Sequence, residues 1–186
     1  MLQGGTSLEK VEIRRPKTDE LEQIHQFFSA VITDTYLKEG LSDLNDELLE
    51  EIESKKKFLA DDISSNGEKN YFLFAYLENK IIGTIAYGQP NSLIVEESKG
   101  QLDHLHEVGS MLVHPDYQNK GIGNQLLQAI FDSLRVKGIK EFCFDSGYKQ
   151  AQMIWTKKFG APLIYLENYW GEDSPHMIWR IKLSDV

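Results

Sequence analysis

Residues 108–124 run Val108-Gly109-Ser110-Met111-Leu112-Val113-His114-Pro115-Asp116-Tyr117-Gln118-Asn119-Lys120-Gly121-Ile122-Gly123-Asn124, an apolar strand, a turn and the start of a helix. Glycines at 121 and 123 let the backbone curl without Cβ obstruction. The N–H groups of Gln118, Asn119, Lys120, Gly121, Ile122, Gly123 and Asn124 can then converge on an anion at the helix N-terminus. The result is a cradle of diphosphate size. Two other phosphate loops are excluded by spacing. A dinucleotide fingerprint needs a third glycine at position 126, which is Leu126, and a P-loop needs a lysine directly after its last glycine, where Ile122 and Asn124 stand.

Other reactive side chains lie close by in sequence. Glu107 stands at the start of the strand, with Asp103, His104 and His106 just before it. His104 and His106, read as alternating onto one strand face, can share a divalent ion, but no third ligand on that face follows locally, so no metal is expected. Cys143 is the single cysteine and sits in Glu141-Phe142-Cys143-Phe144-Asp145 as a buried strand residue, a spectator without an intrachain disulfide. Tyr169-Trp170-Gly171-Glu172-Asp173 reads as a turn with exposed aromatics, suited to an amine through cation–π and charge pairing, or equally to packing on the core or a second subunit.

The chain that must position these groups has 186 residues and a formal net charge of −9, with 41% hydrophobic and 26% charged residues. That balance excludes a disordered or collagenous chain and suits one domain. Acidity without a Lys/Arg stripe excludes nucleic acid as a main partner and favours a cationic substrate. The start lacks a secretory signal and no segment is apolar for long enough to span a bilayer, so no membrane partner and a cytoplasmic location are expected.

Periodicity supplies the elements. Residues 11–15 alternate as a short strand closed by Pro16. Leu21, Ile24, Phe28 and Val31 recur at helical spacing, widened by Phe27, Ile32 and Leu37, with Asp19 and Glu22 as a capping box and Gly40 as the stop. A second helix starts at Ser42 or Asp43, with Leu44, Leu48, Ile52 and Leu59 on one side and the pairs Glu51/Lys55 and Glu53/Lys57 on the other. Residues 71–77 and 81–87 form a hairpin, residues 88–100 a polar loop, and residues 107–113 a further strand. Ile122, Leu126, Leu127, Ile130, Phe131 and Leu134 face inward on the next helix, ended by Gly138. A strand at 142–144, a helix at 149–159 and strands at 163–166 and 177–183 complete the chain, without repeats.

Gln118-x-x-Gly121-x-Gly123, preceded by Val113-His114-Pro115-Asp116-Tyr117 and followed by Leu126-Leu127, closely resembles the cofactor motif of the GNAT superfamily of acyl-CoA N-acetyltransferases. The order of elements from Val11 to Leu183 matches that family over nearly the whole domain. The resemblance implies a single α/β domain over residues 9–186 behind a loose tip at 1–8, with a mixed, twisted central sheet of about six to seven strands and about four helices. It implies acetyl-CoA as acyl donor. Its pyrophosphate would rest on the amides of Gln118 to Asn124, and its pantetheine would pair like an added strand with Met111, Leu112 and Val113. It also implies direct transfer to a primary amine in a ternary complex. Glu107, six residues before Val113, would be the base, as in the histone-acetylating branch, and the N–H of Leu112 or Val113 would meet the oxyanion.

The chain departs from the family at the leaving-group acid. A tyrosine is usual four residues before the helix-ending glycine, and here that position is Thr156, which donates a hydrogen bond but is a far poorer acid. Water or another tyrosine, Tyr148, Tyr165 or Tyr169, is the substitute. The family's asparagine earlier on that helix is replaced by Lys149. A non-catalytic acyl-CoA sensor and a protein lysine or N-terminal acetyltransferase are the competing readings, and a homodimer through the C-terminal strands stays open.

Overall fold

The computed structural model describes residues 10–186, so the tip at 1–8 lies outside the described residues. Seven strands form one sheet, β1 (Glu12–Arg14), β2 (Tyr71–Leu77), β3 (Lys80–Gly88), β4 (His106–Val113), β5 (Glu141–Ser146), β6 (Ile164–Leu166) and β7 (His176–Lys182). Their order is β1-β2-β3-β4-β5-β7-β6. Every neighbouring pair is antiparallel except β4 with β5. The helices are α1 (Leu21–Lys38), α2 (Asn45–Ser64), α3 (Ser92–Glu97), α4 (Ile122–Val136) and α5 (Lys149–Phe159).

Side-chain alternation sorts the strands onto two cores. On one face Leu73, Ile85, Val108, Phe142, Phe144 and Trp179 meet the six apolar residues read for α4, all buried, with Trp155 and Phe159 of α5 packed alongside. Phe144 stacks on Trp179 with ring centroids 4.9 Å apart. On the other face Phe72, Phe74 and Tyr76 meet Ile24, Phe28 and Val31 of α1 and Ile52 and Leu59 of α2. Ile94 of α3, Leu102, Cys143 and Ile178 form a small buried group of their own.

The largest departure from the sequence reading lies in residues 88–100, where the polar loop contains α3 as a fifth helix. Asn91 caps it by accepting the Ile94 N–H at 2.9 Å, and Ile94 and Leu102 anchor it against β5 and β7. Six residues are too few for the periodicity of a longer helix to declare itself. Smaller corrections concern helix starts and surfaces. No capping box forms between Asp19 and Glu22. A 3-10 turn at Thr18–Glu20 leads into α1, and Glu20 accepts the Lys17 amide at 3.0 Å. α2 begins at Asn45, after a turn, so Leu44 precedes it and is exposed. Leu37 is 61% exposed and lies off the stripe that faces the core. On α2, Glu53 pairs with Lys56 rather than Lys57, at 2.7 Å, and Glu51 is bound elsewhere.

One buried ion pair ties α2 to the edge of the sheet. Asp62 is fully buried and accepts from both terminal guanidinium nitrogens of Arg15 and from the Phe72 amide, while Arg15 lies over the Tyr71 ring at 4.5 Å. Removing one partner of such a pair leaves an uncompensated buried charge and amide. Asp62→Ala is expected to lower unfolding stability by about 3 kcal/mol, read as a reduced midpoint in urea titration.

Candidate active site

The site is built where β4 and β5 part. Their parallel pairing is confined to His106 with Phe142 and Glu107 with Cys143. On its other side β4 stays paired to β3 as far as Val113. Between the pairs Ala86–Gly109 and Thr84–Leu112, Ser110 and Met111 stand against Ile85 alone, a bulge with Ser110 at φ 50°. The His114 amide donates back to Ile82 of β3 at 2.9 Å. Alternation therefore turns the N–H and C=O of Val113 away from β3, toward the gap. In agreement, the Val113 carbonyl accepts from the Gln118 side chain at 3.1 Å.

Below the gap, the turn after β4 opens α4. Asn119 and Gly121 both take positive φ, 59° and 81°, and Gly121 caps the helix. Gln125 is the first residue of α4 to bond back, to Gly121 at 3.1 Å, so the amides of Ile122, Gly123 and Asn124 are the orphan donors of the first turn. Space above them is open, since a Cβ on Gly121 would meet no atom within 4 Å. Gly123 is needed for close approach, because a Cβ there would sit 2.7 Å from the Met111 methyl. Gln118 acts mainly as a brace. Its amide turns back to Pro115 at 3.3 Å, and its side-chain oxygen accepts from Lys38 at 3.1 Å. Lys80 and Lys120 stand over the Tyr117 ring and Lys158 reaches Asn124 at 2.9 Å, so the turn carries local positive charge in a chain of net charge −9. An anionic, extended cofactor fits this arrangement.

Glu107 lies on the sheet face covered by α1, α2 and α3. The Asn91 amide donates to its Oε2 at 2.7 Å, and a Cβ on Gly109 would come within 3.2 Å of its Oε1. Burial, and then the nearby Asp145 carboxylate, push the Glu107 carboxyl up to about 7. Lys55 of α2 opposes that rise. Asp145 itself accepts from the Asn91 side chain and from His176, each at 3.0 Å.

Tyr148, at the entry to α5, packs in the same apolar group as Leu112 and donates to Glu51 at 2.6 Å. Burial and the Glu51 charge push the phenol far above its ordinary range, so it stays protonated. Thr156 is exposed on the wall of a groove of about 720 Å³ between α5 and the β6–β7 segment, beside Lys149, Gln152 and Met153. Tyr165 lines the same groove and is 55% exposed, and Tyr169 leans edge-on against Trp170. His104 lies in the turn before β4 rather than on the strand, so it does not alternate with His106. Among the described residues no three His, Cys, Asp or Glu side chains converge as metal ligands. No helix among them is long and apolar enough to cross a membrane.

Four residues of this arrangement escaped the sequence reading: Asn91, Asp145, His176 and Glu51. The available signals were an Asn before the apolar pair Leu93 and Ile94, and an aspartate in phase with Cys143 on an otherwise apolar strand. Glu51 is indistinguishable in sequence from the solvated glutamates around it.

The sequence matches the model of the Acetyltransferase (GNAT) family over residues 32–161, more than half of the chain. No curated protein matches it significantly in sequence. Solved structures share the fold at low identity. A GNAT-family protein from Desulfovibrio desulfuricans superposes with a TM-score of 0.70 at 14% identity, covering 94% of this chain and 99% of that one. PaiA N-acetyltransferase from Thermoplasma acidophilum, solved in complex with coenzyme A, gives 0.65 at 18% identity, with 93% and 99% covered. Ribosomal-protein-alanine N-acetyltransferase from Brucella melitensis gives 0.65 at 16%, with 92% and 99% covered. The match across the motif, the parted strands and the full element order leads to one assignment: the chain is an acetyltransferase belonging to the GNAT family.

Proposed function

We propose that the protein transfers the acetyl group of acetyl-CoA to a primary amine by direct attack in a ternary complex. The observation that carries this reading is the β4–β5 gap, which has an unpaired strand edge beside a helix N-terminus on one side and the Glu107 carboxyl on the other. Met111, Leu112 and Val113 would hold the pantetheine arm along that edge. Asn119, Lys120, Gly121, Ile122, Gly123 and Asn124 would hold the pyrophosphate, with Gln118 bracing the turn. When bound, acetyl-CoA supplies an activated acyl thioester.

The protein's own residues then do three things. Glu107, poised near neutrality, takes a proton from the amine. The Val113 N–H, turned toward the gap, meets the negative charge that develops on the acyl oxygen. Glu51, held by the Tyr148 hydroxyl, would attract the positively charged acceptor. Thr156 keeps a hydrogen-bonding role toward the leaving group, without the acidity of a phenol.

Three outcomes follow. In calorimetry the wild type binds acetyl-CoA, and Gly121→Asp weakens binding by about 100-fold, because it adds strain at a positive φ and a negative charge in the cradle; no binding by the wild type overturns the reading. With a panel of amines, thiol release rises with pH through an inflection near 7, since only ionised Glu107 accepts a proton. Glu107→Gln lowers kcat by about 100-fold or more and removes that inflection, whereas cofactor binding without thiol release from any amine marks a sensor. Thr156→Val costs less than about tenfold in kcat; a larger loss gives the hydroxyl a direct part in the leaving step.

A further inference from the structure

Behind Glu107 a run of hydrogen bonds crosses three segments that are remote in sequence. The Trp170 indole N–H donates to His176 Nδ1 at 2.9 Å. An indole nitrogen can only donate, so Nδ1 is the bare nitrogen and the ring's proton sits on Nε2. That N–H donates to Asp145 Oδ2 at 3.0 Å. The same oxygen accepts from the Asn91 side chain at 3.0 Å. Asn91 is oriented without ambiguity, because its own oxygen is taken by the Ile94 amide at 2.9 Å. Its backbone N–H completes the run on Glu107 Oε2 at 2.7 Å.

We propose that Asp145, His176 and Asn91 are positioning residues for Glu107, the carboxylate of Asp145 being held beside the base by two neutral donors so that its charge acts on Glu107 uncancelled. The inference rests on the reading of Glu107 as the base.

Register explains how the groups meet. Glu107 pairs with Cys143, and Asp145 follows two residues on; Asp145 pairs with Ile178, and His176 precedes it by two. All therefore point to one face of the sheet. His176 is 5% exposed, and Gly147 makes room for its partner, since a Cβ there would stand 2.8 Å from the Trp170 indole nitrogen. Both ring nitrogens of this buried imidazole are hydrogen-bonded, which fixes the ring in one orientation toward Asp145. A positively charged partner would pair with Asp145 and cancel its effect on Glu107. A neutral histidine and an amide satisfy the carboxylate and leave its charge in force. The charged and titratable groups that face Glu107 are Asp145 and Cys143 from β5 and Lys55 from α2, with His176 of β7 acting through Asp145.

The test follows the Glu107 carboxyl directly, by carbon NMR of protein labelled at glutamate Cδ, with the signal assigned by its loss in Glu107→Gln. In Asp145→Asn the Glu107 inflection is expected to fall by about one pH unit or more. The acid limb of the amine-dependent rate should move with it, and KM for the amine should change by less than about twofold. An unchanged inflection in a folded Asp145→Asn protein, with Glu107→Gln still inactive, overturns the positioning role and leaves the base assignment standing. A Glu107→Gln enzyme with the wild-type rate overturns the base assignment itself, while the NMR titration still reports whether Asp145 acts on Glu107. Nitrogen-15 NMR of the wild type needs no variant. The Nε2–H tautomer of His176 is expected, and an Nδ1–H tautomer would sink the proposal even if Asp145→Asn fails to fold.

Discussion

The structure depends on two parallel strands that begin as neighbours and then separate. A strand in the middle of a sheet ordinarily satisfies N–H and C=O groups on both edges, and an unpaired inner edge has to be answered by something else. β4 meets β5 only at His106 and Glu107, while the Ser110 bulge bends the remainder of β4 and β3 keeps hold of its other edge. β5 meanwhile follows β7, to which it is paired along its full length. The opening between them is therefore enforced from both sides. Part of the exposed edge is answered internally, where Gln118 reaches the Val113 carbonyl. The remainder suits an extended ligand with amides of its own.

The two faces of the sheet then divide the work. On the face of α4, large apolar side chains pack without interruption from Leu73 to Ile181, and this rigid block fixes the helix N-terminus relative to the end of β4. The opposite face holds a second core under α1 and α2, but around Glu107 the packing gives way to polar groups: Asn91, Asp145, His176, Tyr148 and Glu51. On this partly buried face the Asp145 carboxylate disfavours the charged form of Glu107. The Asn91 amide and the α2 lysine favour the charged form of Glu107, while the Asn91 side chain and the β7 histidine satisfy the Asp145 oxygen by hydrogen bonds without cancelling its charge. Polarity is divided in the same way, with lysines around the amide turn and acids around Glu107 and Tyr148.

What could be read from residues 108–124 is explained by locality. Strand, turn and helix start are contiguous, and the positions of Gly121 and Gly123 carry backbone requirements that no distant contact changes. The inward face of α4 was equally legible, since six apolar residues at helical spacing leave one way to bury them. Residues 88–100 were not, because a helix of six residues held by Ile94 and Leu102 depends on the walls of a pocket made by β5 and β7. The pairing of Glu51 with Lys55 failed for a related reason. Helical neighbours compete with tertiary ones, and the Tyr148 hydroxyl offers Glu51 a less exposed partner.

By itself, the sequence determined the α/β class, the glycine-bearing turn that opens α4 and the placement of Glu107 at the head of the strand that leads into it, because periodicity, glycine spacing and turn chemistry act over a few residues. Only the tertiary structure decided which charges surround that glutamate. Asn91, Asp145 and the Trp170–His176 pair come from three separate segments, and what brings them within hydrogen-bond reach is strand register and the twist of the sheet, to which no local pattern in the chain is sensitive.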